Sequence, residues 1–175
     1  MGVKIFWDER APAGIQAPVQ RCISMILQMP AEIVIEGGLL LKGYDPSRRQ
    51  YNAQQLLTCI DTIRTCAAIS DLMLLVIAGD LYIPGYDFVF GLARPNNGVA
   101  VVSTARLGNG YYGRSENDDD LIDRIAKEGA HEVGHLLGLE HCSNPECCMF
   151  KPDTLDELDR KKKMLCSSCQ QQLSL

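Results

Sequence analysis

Apolar positions along the first hundred residues predict strands and helices in alternation. Val3 to Trp7 has the length and alternation of a strand, and Pro18 opens an apolar-periodic stretch through Met29 that predicts a helix. Glu32 to Leu41 is rich in Ile, Val and Leu, the signal of a second strand. A polar turn from Gly43 to Gln50 follows, after which Asn52 is placed to cap a helix reaching about Ala67. Leu72 to Ala78 is continuously apolar and ends at Gly79-Asp80, the pattern of a strand covered on both faces and hence of the sheet's centre. Phe88 to Ala93 and Val99 to Ala105 flank Pro95-Asn96-Asn97-Gly98, a turn composition that suits two antiparallel strands. The chain therefore predicts an α/β fold with a mixed, twisted sheet of about five strands. If Phe88 to Ala93 is an edge, its free backbone groups can pair with an extended peptide.

The last third has a different pattern. Asn117 is placed to cap a long helix, with Asp118, Asp119 and Asp120 in the first turn, where the positive end of the macrodipole favours them. That helix is expected to run through Leu137 and stop at Gly138. Further on, Thr154-Leu155-Asp156-Glu157 fits a capping box, and Lys161, Lys162 and Lys163 are expected in the last turns of the helix it starts.

Length and charge narrow the possibilities. A chain of 175 residues is the size of one domain, and 46% hydrophobic with 22% charged residues is a globular composition. A net charge of −5 speaks against nucleic acid as a partner, since phosphate binding calls for a basic face. The apolar run from Leu72 to Ala78 is too short to span a bilayer as a helix, and the first ten residues reach charges before any secretory apolar core, so no membrane partner and a cytoplasmic location are expected. In that compartment eight cysteines read as metal ligands or buried thiols before disulfides. Cys22, Cys59 and Cys66 fall within helical patterns and are expected in the core.

The segment from His131 to His141 spells H-E-x-x-H-x-x-G-x-x-H. Residues four apart on a helix differ by about 40° around its axis, so His131 and His135 face one ion together. A straight helix would carry His141 away from that ion, and Gly138 supplies the turn back. Three protein ligands leave the fourth position of zinc to water, whose pKa falls to about 7 in favourable sites. Glu132, beside the first ligand, is placed to take that water's proton and pass it to the leaving amine. The chain has three histidines, and all of them fall on these ligand positions, which neither a solvated nor a core-filling role requires.

A cysteine set follows at once: Cys142, then Cys147 and Cys148, then Cys166-Ser167-Ser168-Cys169. Two close pairs separated by a longer segment suit a tetrahedral structural zinc held by Cys142, Cys147, Cys166 and Cys169, with Cys148 able to replace Cys147. Two zinc ions are therefore expected, one catalytic and one structural. Because Cys142 adjoins His141, the second ion would also fix the backbone of the third catalytic ligand.

Together these residues resemble the archaemetzincins, metzincin-type zinc peptidases whose pattern joins the long histidine motif to a cysteine, a C-x-M element and a final C-x-x-C. The resemblance rests on His131 to His141, Cys142, Cys147-Cys148-Met149 and Cys166 to Cys169. It implies a metzincin-like fold with an active-site helix, residues 1–138 as an N-terminal subdomain and 139–175 as a small zinc-bound C-terminal one. It also implies two zinc ions, peptide or protein substrates, and Met149 as the methionine of the Met-turn, an apolar base beneath the catalytic metal. A second reading is a non-catalytic zinc-binding or interaction protein that keeps this frame; the intact Glu132 argues against it.

Overall fold

The computed structural model describes residues 1–35 and 41–173. The chain opens with strand β1 (Val3–Trp7), helix α1 (Gln16–Leu27) and strand β2 (Ala31–Val34). Two short strands, β3 (Tyr44–Asp45) and β4 (Gln50–Asn52), lead into helix α2 (Ala53–Cys66). Strands β5 (Leu72–Ile77), β6 (Leu81–Tyr82), β7 (Gly91–Arg94) and β8 (Val99–Ser103) come next. The long helix α3 (Asp118–Leu136) and two short ones, α4 (Leu155–Arg160) and α5 (Ser167–Leu173), complete the described chain.

Five strands form one mixed sheet in the order β2-β1-β5-β8-β7. Its central strand is β5, as the apolar run implies, and β7 is the antiparallel edge, with Gly91 opposite Val102. Side chains of a strand alternate between faces, so β5 serves two cores. Leu72, Leu74 and Val76 pack with Ile23 of α1 and with Ile125, Ala130 and Val133 of α3. Met73, Leu75 and Ile77 pack with Leu56, Leu57 and Ile60 of α2 on the opposite face. The result is three layers, with α3 laid across the face that carries α1 and set beneath β7 and β8.

Local chemistry sets the helix ends. The Asn52 side chain accepts from the backbone N–H of Gln54 and Gln55, and Asn117 from those of Asp119 and Asp120. Thr154 and Glu157 form the expected capping box. Arg124, 3% exposed, donates to both carboxylate oxygens of Asp159 and to the Leu107 carbonyl, which fastens α4 and the loop after β8 to α3.

Several expectations need correction. Helix α1 begins two residues before Pro18 and ends at Leu27, because Gln28 takes a left-handed conformation (φ 53°) that stops it. The strand expected over Glu32 to Leu41 is β2, from Ala31 to Val34, and residues 36–40 of that range lie outside the described residues. The small sheet β3-β4-β6 was not expected, since strands of two or three residues carry no periodic signal. The three lysines do not close a helix: α4 ends at Arg160, and Lys161 has extended backbone (φ −58°, ψ 140°). From there Lys161 turns inward and is fully buried, while Lys162 pairs with Glu146 and Lys163 with Asp123. Cys66 is exposed at the end of α2, whereas Cys22 is partly buried against the core. Among the described residues, no helix is long and apolar enough to cross a membrane.

Helix α3 sits close to its neighbours because position 129 is glycine. A Cβ there would lie 3.0 Å from Ile23 Cδ1 and 3.0 Å from Leu74 Cδ2. Gly129→Val is expected to lower stability by about 1–3 kcal/mol, the usual cost of overpacking a filled core. Urea unfolding should show a lower midpoint at unchanged slope; a midpoint equal to that of the unsubstituted protein would refute this account of the packing.

Candidate metal centre and active-site cleft

The three histidines that the sequence singles out are brought together. His131 and His135 project from the last two turns of α3, and their Nε2 atoms stand 3.1 Å apart. Two nitrogens bound to one tetrahedral zinc at 2.0–2.1 Å would be about 3.3 Å apart, close to this separation. The Nδ1 atoms are engaged elsewhere: that of His131 lies 3.0 Å from the Cys148 carbonyl and that of His135 2.8 Å from the Leu139 carbonyl. A carbonyl can only accept, so Nδ1 carries a proton in each ring, and in a neutral ring Nε2 is then the lone-pair atom that faces the other. Two lone pairs facing at this distance repel unless a cation lies between them.

Gly138 brings in the third ring. Its φ of +91° is in the left-handed region, which glycine adopts without a Cβ penalty. The chain reverses there, with Gly138 N donating to His135 O and Leu139 N to Gly134 O, both at 3.0 Å. The ligand atoms of His131, His135 and His141 then lie within 4.8 Å of one another. His131 is buried and His141 exposed, so the centre is closed on one side and open on the other. Burial, reinforced by the Lys161 ammonium, pushes His131 well below its ordinary range. Burial also lowers His141. Both rings are thus neutral near pH 7, the form in which imidazole binds a metal.

Met149 is fully buried, and a Cβ added at Gly134, between the two helix histidines, would collide with its Sδ. Cys142 N donates to Met149 O at 2.9 Å, so the loop that carries His141 is tied to the turn that carries the methionine.

Glu132 lies under the edge strand. A Cβ at Gly91 of β7 would be 2.7 Å from its Oε1, so glycine at that position makes room for the carboxylate. Glu132 is 5% exposed and lines a cleft of about 770 Å³ together with all three histidines. Burial first, and the neighbouring Glu128 carboxylate second, push its carboxyl well above the ordinary range, against the opposing charge of Lys161. Such a carboxylate holds a proton more readily than an exposed one and is a stronger base when ionised. Phe88, Phe90 and Leu92 line the cleft on the β7 side, and Glu140, Lys151 and Asp153 on the other.

The four cysteines Cys142, Cys147, Cys166 and Cys169 form a second cluster, their sulfurs within 4.8 Å of one another. Cys142 and Cys166 Sγ are 3.7 Å apart, as are Cys147 and Cys169 Sγ. A disulfide would be about 2.05 Å, whereas two thiolates on a tetrahedral zinc at 2.3 Å would be about 3.8 Å apart. Backbone N–H groups of Asn144 and Cys166 point at the sulfurs of Cys142 and Cys147. Cys166 is lowered to about 7, chiefly by the N–H of Cys169. Cys148, which the sequence left as an alternative to Cys147, points away: its thiol donates to the Lys127 carbonyl at 3.2 Å, and burial pushes it up to about 12.

Two buried residues at the site carry no motif. Glu128 lines the cleft one turn before Glu132, and the four-residue spacing between them on one helix face is the sole sequence sign of this. The Lys161 Nζ lies 3.5 Å from His131 Nδ1 and 3.7 Å from Glu128 Oε2, and nothing in the run of three lysines distinguishes it.

Comparison with known proteins agrees with this geometry. A sequence model of peptidase family M54 matches residues 13–175. Among curated relatives, the archaemetzincin of Halobacterium salinarum is 35% identical over 162 residues, covering 91% of this chain and 91% of its own. That of Aeropyrum pernix is 40% identical over 139 residues, covering 77% of this chain and 71% of its own. The crystal structure of a zinc-dependent peptidase from Methanocorpusculum labreanum superposes with a TM-score of 0.94 at 46% identity, over 98% of this chain and 100% of that one. The archaemetzincin of Methanopyrus kandleri superposes with a TM-score of 0.80 at 31% identity, over 99% of this chain and 93% of that one. This chain belongs to peptidase family M54, the archaemetzincins, and is a zinc metallopeptidase.

Proposed function

We propose that the protein hydrolyses peptide bonds in the cleft between β7 and α3, with zinc held by His131, His135 and His141 and with Glu132 as the group that moves the proton. The observation that carries this reading is the convergence of three imidazoles beside one buried carboxylate in an open cleft. Zinc, when bound, supplies a Lewis acid and a water that ionises near neutral pH. The carbonyls of Cys148 and Leu139 hold the two helix imidazoles in the tautomer that leaves Nε2 free. Glu132 accepts the proton of the attacking water and delivers it to the leaving nitrogen, so that the amine departs neutral. Edge strand β7 offers unpaired backbone groups along which an extended peptide can lie as an added strand.

The second part of the reading is structural. Cys142, Cys147, Cys166 and Cys169 hold another zinc ion, and this ion keeps the segment after Gly138 in place. Support comes from the sulfur spacing and from the N–H groups directed at the thiolates. The domain divides functionally at Gly138: residues 1–138 carry the sheet and the active-site helix, and 139–175 carry Met149 and the cysteine cluster.

Elemental analysis and hydrolysis of a mixed peptide library, followed on the same samples, test both parts. Two zinc ions per chain are expected in the unsubstituted protein and in Glu132→Gln, with cleavage about 10²–10⁴-fold slower in the variant. Two zinc ions with no cleavage by either protein would favour a binding role for the frame. For the second ion, Cys147→Ser is expected to lose one zinc and Cys148→Ser to keep both; the reverse result would overturn the ligand assignment.

A further inference from the structure

Glu128 is poorly served by its surroundings. It is 4% exposed, yet its Oε2 has no hydrogen-bond partner among the described residues. The Lys161 Nζ, 3.7 Å away, is near enough to balance the charge but too far to donate a hydrogen bond. An ionised carboxylate can accept about four hydrogen bonds, and leaving a buried one bare costs more than a neutral group would. Oε2 itself has almost no accessible surface, but the Glu128 side chain lines the cleft, where a ligand can approach the carboxylate.

Its position on α3 is specific. Glu128 precedes Glu132 by one turn and His131 by three residues, so it shares the helix face that carries the metal-site histidines. Lys161 approaches from the segment after α4, with no exposed side-chain surface, and backs both Glu128 and His131. The remaining charged groups of the cleft wall are mostly acidic, with Asp87, Glu140 and Asp153 set against Lys151. A cleft lined mainly by one sign concentrates that field inside it.

We propose that Glu128 is a substrate-binding residue of the cleft, receiving a cationic nitrogen of the peptide beside the bond to be cleaved, with Lys161 as the positioning residue that holds the carboxylate in place. The preferred substrates are then peptides that present either a basic side chain or a free amino terminus at that point. This inference rests on the peptidase reading above but concerns which peptides bind, and binding is measured separately from turnover.

The test uses zinc-loaded Glu132→Gln protein and four labelled peptides of otherwise common sequence, with affinity followed by fluorescence anisotropy. Three are N-acetylated and carry lysine, norleucine or glutamate at the centre, and the fourth carries norleucine with a free amino terminus. The lysine peptide or the free-amine peptide is expected to bind about 10-fold or more tightly than the acetylated norleucine peptide, as a hydrogen bond to a charged group would give. Which of the two does so identifies the cation as side chain or terminus. Adding Glu128→Gln should abolish the advantage. Because that change alone strands the Lys161 charge, Glu128→Gln with Lys161→Met is measured beside it, with zinc content and the thermal transition confirming the fold. Equal affinity for all four peptides, or a cation preference that survives in the folded variants without Glu128, would overturn the proposal. A cation preference that is lost with Glu128, with no peptide cleaved by the unsubstituted protein, would support the role of Glu128 while removing the peptidase reading.

Discussion

Three imidazole nitrogens have to meet at one point, and a straight helix can bring only two of them there. Much of the described structure serves that constraint. Helix α3 presents His131 and His135 one turn apart, Gly138 reverses the chain through a left-handed conformation, and His141 returns to the same side. The Leu139 carbonyl exposed by that reversal accepts from His135 Nδ1, so the turn that delivers the third ring also orients the second. A side chain at position 138 would strain the turn, and one at 134 would collide with the Met149 side chain.

The segment beyond the turn sends Leu139, Met149, Leu155, Leu158 and Leu165 into the core, and it is also held by cross-links of several kinds. Its backbone bonds join Cys142 to Met149 and Cys148 to Met164, and the cysteine cluster gathers residues 142 to 169 around one point. The Cys148 carbonyl then orients His131. In the proposed arrangement the second zinc therefore acts on catalysis at one remove, by fixing the loop that carries one ligand and the carbonyl that orients another. Structural zinc ions contribute about 10–16 kcal/mol of binding energy in small peptides, comparable to the whole stability of a domain.

Behind the histidines lies an unusual concentration of buried charge: Glu128, Glu132, Lys127 and Lys161 are each at most 5% exposed. Buried ions are tolerated when paired, and seldom add stability over apolar groups of the same size. Lys127 is paired with Asp123 and also donates to the carbonyls of Leu158 and Asp159, so it serves to dock α4 on α3. Glu128 and Lys161 are less completely satisfied and sit against the cleft, which is where a functional use of the cost is expected.

What the sequence determined by itself is whatever depends on short range. The period of apolar positions placed β1, α2, β5 and α3, and side-chain caps at Asn52 and Asn117 marked where helices begin, because these preferences are set within a few residues. The histidine constellation was legible for the same reason, since its three rings lie within eleven consecutive residues on one helix and one turn. The choice between Cys147 and Cys148 was not: adjacent residues point in opposite directions, and only the closure of the cluster by Cys166 and Cys169 decided which sulfur faces it. Lys161 was misread because a run of lysines after a capping box looks like a helix end, while its burial depends on Glu128 and His131, some thirty residues away. The small sheet β3-β4-β6 and the exposure of Cys66 likewise follow from long-range pairing and layer order. Spacing along the chain fixes local geometry, but the side on which a residue lies, and so its charge environment, is decided when distant segments pack together.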